Sequence, residues 1–367
     1  MMLVIIAVLA IVLVILLCIY LLNRSAKKAD YQAILTYIEE NKEKGSCAIG
    51  VRKNGQLILA ENLQAVLPLA STSKIIIAIA FAKQCGSGIL NSGQFVSLGE
   101  LHNYYIPKTD GNAHSDWLTY LAEEGLLKDN QTTLLEVAKG MMMFSSNANS
   151  EYLIDLVGAD SLQKTIEELG LKTHEPIFPF VSSLYIPGYM KQQQGMREKK
   201  TLVKELKGLS REDYRKLAWE IHTLLKQKGP DMGVPLLLDQ VFQEIWSKQF
   251  ISASAEDYLT VLRMLNEKTM FSLEIQHYLD EVLEDVMKDP GNQVNLIHSG
   301  CKGGSTSTVL TNAVYAKDKK GNMTEIVFMA SELDPLTSLK LQHGLNDFVL
   351  QALYNEKILR CEQTNKR

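Results

Sequence analysis

The chain has 367 residues, of which 46% are hydrophobic, and carries a formal net charge of −4. Such a chain can bury a sizeable core as one large domain or two small ones, and its charge balance gives no global pull toward nucleic acid. Seven scattered histidines, with no H-E-x-x-H and no C-x-x-C, offer no metal-binding pattern, so no cofactor is expected.

Met1 to Leu22 carry no charge. About 20 apolar residues span a bilayer, longer than the core of a signal peptide, and no A-x-A cleavage site follows. Leu16-Leu17-Cys18-Ile19 lacks the small residues expected before a lipidated cysteine. Residues 1–23 therefore read as an uncleaved single-pass transmembrane anchor, and 24–45 as a juxtamembrane segment and first helix. Arg24, Lys27 and Lys28 follow the span, and the positive-inside rule would hold that flank in the cytoplasm. The chemistry below favours the opposite face, and the two expectations conflict.

Asp30 is placed to cap a helix with apolar positions Tyr31, Ile34, Leu35 and Ile38. Ser46–Val51 and Gln56–Ala60 read as strands joined by Asn54-Gly55, a sequence suited to positive φ. A short link then reaches Ser71 and an apolar helix. Residues 86–130 read as loop-rich, and His114 as an ordered loop residue. Thr132–Met143 reads as a buried helix, with Met141-Met142-Met143 as core filler. Residues 187–250 are rich in Lys, Glu and Gln and read as a helical insertion broken at Gly229-Pro230. Its cluster of Lys191, Arg197, Lys199, Lys200, Lys204 and Lys207 reads as a solvated helix face. Ala255–Met287 is helical in pattern. Asn295–Gly300, Thr308–Ala316 and Glu325–Ser331 read as strands, Leu336–Leu353 as a closing helix, and 359–367 as a polar tail. The five cysteines (18, 47, 85, 301 and 361) match no disulfide framework, and buried free thiols are expected.

The expected architecture is α/β, of the α+β kind. Two N-terminal and three C-terminal strands form a five-stranded antiparallel sheet flanked by helices, and the helical middle forms a second, all-helical lobe. The cleft between them would gather Ser71, Ser145 and Lys302.

Ser71-Thr72-Ser73-Lys74 sets a hydroxyl three residues from an amine, on one helix face. A neutral lysine there can take the serine proton. The same spacing recurs at Ser25/Lys28, Ser161/Lys164 and Ser299/Lys302, so the match alone carries little. Its company adds weight: Ser145-Ser146-Asn147 is an S-x-N element, and Lys302-Gly303-Gly304-Ser305 a K-x-G-S element. Plainer readings remain open. Ser71 is then a helix cap, Ser145 to Asn147 a turn, and Lys302 a surface lysine beside a Gly303-Gly304 bulge.

These three elements, in this order, resemble the active-site serine β-lactamases and penicillin-binding proteins. The resemblance covers about residues 30–355 less the insertion, with the domain over 46–358. It implies the serine β-lactamase/DD-peptidase fold, with Ser71 as acylated nucleophile, Lys74 as its base and Ser145 as proton relay to the leaving group. It implies that Asn147 holds Lys74 and substrate, and that Lys302 supplies positive potential. The backbone N–H groups of Ser71 and Ser305 would form the oxyanion site, and Gly303 and Gly304 would let substrate approach the strand edge. Glu175, beside Pro176, is the candidate deacylation base.

The chain also departs from the family pattern. Gly303 removes a hydroxyl that often binds a substrate carboxylate, no arginine lies in the following strand, and Ser146 stands where an acidic residue is usual. The expectation is therefore a membrane-anchored serine hydrolase or acyl transferase. It would act on amide or ester bonds of a small-molecule or peptidoglycan (cell-envelope) substrate, with the catalytic domain extracytoplasmic. A ligand-binding sensor, or an inactive scaffold using residues 187–250 to hold a protein partner, are the alternatives.

Overall fold

The computed structural model describes residues 30–193, 195 and 198–355. The expected anchor over 1–23 and tail over 359–367 lie outside them. Among the described residues no helix is long and apolar enough to cross a membrane.

Helix α1 (Tyr31–Asn41) starts where the Asp30 carboxylate accepts the Gln32 N–H. Strands β1 (Cys47–Lys53) and β2 (Gln56–Glu61) meet at Asn54 and Gly55, which have φ of 49° and 79°, the conformation that the Asn-Gly turn requires. The link to Ser71 contains a short strand, β3 (Val66–Pro68), and a 3₁₀ turn at Ala70–Ser73 before α2 (Lys74–Gly86). Every residue from Lys74 to Ala82 is buried, because α2 is apolar all round and runs through the core.

The stretch expected to be loop-rich holds β4 (Phe95–Ser97), α3 (Leu98–His102) and α4 (Ala113–Glu123). Ala113, Trp117 and Leu121 stack on one face of α4 and are buried. Next come β5 (Gln131–Thr133) and α5 (Leu134–Met143), the latter starting two residues later than expected because Thr133 caps it through the Glu136 N–H. Then come α6 (Asn147–Val157) and α7 (Ala159–Glu168). Four helices follow: α8 (Ile186–Gln193), α9 (Lys199–Gly208), α10 (Arg211–Lys228) and α11 (Gln240–Lys248). Helix α10 stops at a 3₁₀ turn over Gly229–Asp231. Strand β6 (Ser252–Ser254) pairs with β3. The region read as one helix from Ala255 divides into α12 (Ala255–Glu267) and α13 (Leu273–Leu283), where Lys268 turns left-handed and Ser272 caps the second piece. After α14 (Pro290–Asn295) come β7 (Leu296–Ser305), β8 (Leu310–Asp318), β9 (Met323–Ala330) and the closing α15 (Pro335–Tyr354).

Five strands form one antiparallel sheet in the order β2-β1-β9-β8-β7, so both chain ends share it. Helices α1 and α15 cover one face, burying Ile34, Ile38, Leu341 and Phe348 against Ile49, Val314 and Phe328. The other face meets α12 through Ala48, Val327, Met329, Tyr258 and Leu259, and α2 belongs to the same core. Strand β7 is the edge, and its register stays regular through Gly303 and Gly304, which pair with Asn312 and Thr311. That edge runs beside the start of α2 and forms one bank of a cleft.

A buried polar cluster fixes the opposite bank. Glu151 on α6 accepts the N–H groups of Val181 and Ser182, at 3.0 and 2.9 Å. His222 on α10 lies 3.3 Å from both Glu151 and Asp155. Burial alone would depress His222, but hydrogen bonds with Asp155 and Glu151 carry it up to about 9. A raised folded-state value means that its contribution is complete below the ordinary histidine value of about 6.5 and is lost as pH rises through about 9. Urea unfolding should therefore show stability falling across that window, with the slope removed in His222→Gln. An unchanged slope would assign the pH dependence elsewhere.

Candidate active site

Ser71 sits in the 3₁₀ turn and Lys74 opens α2. Ala70, just before the serine, is held at φ 45°. A non-glycine residue there stores backbone strain, which the packing around the turn must hold. Tyr258 Oη donates to the Thr72 carbonyl (3.2 Å) and Thr311 Oγ1 to that of Leu69 (2.8 Å), tying the turn to α12 and β8. Gly304 is needed here: a Cβ on it would lie 2.5 Å from Ser71 N and 2.7 Å from Thr311 Oγ1.

Ser145 precedes α6 with φ 69°, which turns its carbonyl and hydroxyl toward Lys74. Lys74 Nζ lies 2.6 Å from Ser145 O, 3.1 Å from Ser145 Oγ and 2.9 Å from Asn147 Oδ1. Lys302 Nζ reaches the same hydroxyl from β7 at 2.9 Å and donates to Gly303 O at 3.0 Å. Three distant segments thus meet at one oxygen. Among the described residues, no hydrogen bond joins Ser71 Oγ to Lys74 Nζ, whose contacts run to Ser145 and Asn147 instead.

Both lysines are buried. Burial pushes Lys74 well below the usual lysine range, Lys302 pushes the same way, and Asp110 opposes them. Burial brings Lys302 down to about 8. Lys302 is therefore charged at neutral pH, and Lys74 is the amine biased toward its neutral form.

Ser71, Ser145, Asn147, Gly303, Gly304 and Ser305 all line one cleft of about 570 Å³. Ser146 is buried below it, capping α6 and lying 2.9 Å from Nδ1 of His114, whose value burial lowers to about 4. His114 is thus a neutral, buried partner of Ser146 on α4 rather than a loop residue.

Glu175 does not join the site. Its carboxylate receives the Arg211 guanidinium and, at 2.9 Å, the Ser252 N–H, and it does not line the cleft. The reason is a cation on α10 that takes it up. Beside Lys74 stands a ring instead, with the Phe180 centroid 5.7 Å from Nζ. Sequence reasoning gave no role to Asp110, Phe180, Trp246 or Phe250, which all line the cleft. Asp110 accepts the His114 N–H (3.1 Å) through one oxygen, and the other is buried without a partner among the described residues. The turn sequence around Asp110 was a signal for it; nothing local marked the three rings.

Among solved structures, the fold is similar to that of a β-lactamase from Sphaerobacter thermophilus, at 17% identity over 89% of this chain and 97% of that one, TM-score 0.53. It is also similar to a class A β-lactamase from Bacteroides cellulosilyticus, at 15% identity over 89% and 99%, TM-score 0.50. A third is a variant of PBP-A in an acyl-enzyme complex with penicillin G, at 17% identity over 87% and 97%, TM-score 0.50. No curated protein matches the chain. The Beta-lactamase2 family model, described as a beta-lactamase enzyme family, matches residues 28–294, and the chain belongs to that family. The match ends before Lys302, which enters the site through the geometry of β7.

Proposed function

We propose that the chain is a serine hydrolase or acyl transferase acylated at Ser71, with a cell-envelope amide or ester as substrate. The observation that carries this reading is the convergence of Lys74 and Lys302 on the Ser145 hydroxyl, in the cleft that Ser71 lines. Ser71 Oγ attacks the substrate carbonyl carbon, and its proton passes to neutral Lys74. The oxyanion takes the N–H groups of Ser71 and Ser305, each donor contributing about 10²–10³ in rate. The bond to the leaving group then breaks. That group takes a proton from Ser145 Oγ, which Lys74 replenishes while Lys302 holds the hydroxyl in place.

Substrate choice follows the charges. Among the described residues no arginine lines the cleft, and Asp110 is its single carboxylate. Asp110 offers a partner to a substrate group with N–H donors, while charged Lys302 at the Ser145 hydroxyl draws negative charge. Residues 1–23 serve as a single-pass membrane anchor with the domain on the outer face, and residues 187–250 are an insertion into that domain. Protease added to intact cells should then digest the domain.

A fluorescent fluorophosphonate should label the wild type and spare Ser71→Ala. Equal labelling of both would refute the proposal. A ligand-binding sensor that stays acylated is the second reading, favoured because Glu175 is held by Arg211 and does not line the cleft.

A further inference from the structure

We infer that α11 and the residues after it form a subsite for a flat apolar group, such as an aryl ring, on the acyl part of the substrate. This rests on the acylation of Ser71 proposed above. Gln243, Trp246 and Phe250 line the same cleft as Ser71, and Phe180 lines it with them. Gln243 and Trp246 are three residues apart and share a helix face.

The rings form one cluster. Phe250 lies 5.2 Å, centroid to centroid, from both Phe180 and Trp246. Phe180 and Phe250 are buried and form the floor, while Trp246 is half-buried and forms the wall. The N–H donors of this wall are already engaged. Trp246 Nε1 donates to Phe180 O (3.0 Å) and Ser183 Oγ (2.8 Å), and Gln243 Nε2 donates to Leu238 O (2.6 Å). Beside the Gln243 carboxamide oxygen, what faces substrate is aromatic surface held in one orientation, which suits planar apolar groups.

The geometry also says which part of the substrate arrives there. The leaving group must face Ser145 Oγ, its proton donor, and the carbonyl oxygen must face Ser71 N and Ser305 N. The remaining acyl substituent runs along the β7 edge away from Ser145, toward Ser307. There Ser247 of α11 lies 3.3 Å from Ser307, hydroxyl to hydroxyl. The acyl chain thus passes beneath Trp246.

The test compares Ser71 acylation by phenylacetylglycyl and acetylglycyl thioesters of one small thiol, followed by intact-protein mass. Wild type should react about 10–100-fold more efficiently with the phenylacetyl ester. Trp246→Ala should bring that ratio close to one. Trp246→Phe, which keeps a ring and loses the N–H, should retain most of the preference and guards against misfolding of the alanine variant. Acylation by both esters with no preference in the wild type, or a preference that survives in folded Trp246→Ala, would overturn the subsite alone. No acylation by either ester in folded wild type would overturn the Ser71 chemistry and the subsite with it.

Discussion

Lys74→Ala lowers the rate of Ser71 acylation by about 10²–10⁴, the range that a positioned general base contributes. The loss has a specific cause. Lys74 is fully buried, and burial together with the Lys302 charge holds it well below the usual lysine range. Among the described residues no other neutral amine reaches the Ser145 hydroxyl, because Lys302 stays charged up to about pH 8. The pH profile carries the same signature. In the wild type, acylation falls above about pH 8 as Lys302 loses its proton and the cation that holds Ser145 disappears. On the acid side it falls as Lys74 gains a proton. In Lys74→Ala the acid limb should vanish from the residual rate and the alkaline limb should remain. Stopped-flow acylation with an activated ester measures both. A residual rate within a few-fold of wild type would remove Lys74 from the chemistry.

A burst of about one product equivalent per enzyme should precede a steady rate at least about 10² lower than acylation, the contribution of a missing general base. Deacylation needs a base to activate water beside the acyl carbon. Glu175 is bound to Arg211 and Ser252 and stands outside the cleft lining. The Phe180 ring stands 5.7 Å from Lys74 Nζ, and Asp110 is the single carboxylate among the described residues that line the cleft. Asp110 has one buried oxygen with no partner among the described residues, but its other oxygen is engaged by the start of α4. The acyl group therefore waits for an acceptor that brings its own nucleophile, such as an amine. Added amines should raise the steady rate and leave the burst unchanged. Linear product release from the first turnover would contradict this.

Local order in the sequence made the reacting groups legible, because Ser71 and Lys74 lie within one helical turn and the S-x-N and K-x-G-S elements each carry their own spacing. The hairpin at Asn54-Gly55 and the five long strands were legible for the same reason, since alternation and turn residues are short-range signals. The opposite bank of the cleft was not. Strands β3 and β6 have three residues each and pair across the whole helical middle, so neither holds a period to read. Glu175 was a candidate for its place beside Pro176, yet Arg211, 36 positions away, captures it. Trp246 belongs to a segment whose composition reads as solvated helix, and only tertiary packing brings its face to Ser71. Helix α4 was readable in principle from the four-residue repeat of Ala113, Trp117 and Leu121, but the turn residues ahead of it masked that signal.

The most direct test is peptide mass spectrometry after brief exposure of the whole protein to an activated aryl ester. It should find one acyl group per chain, on the peptide containing Ser71, absent in Ser71→Ala and strongly reduced in Lys74→Ala. An adduct on any other residue, or equal acylation of all three proteins, would contradict the account.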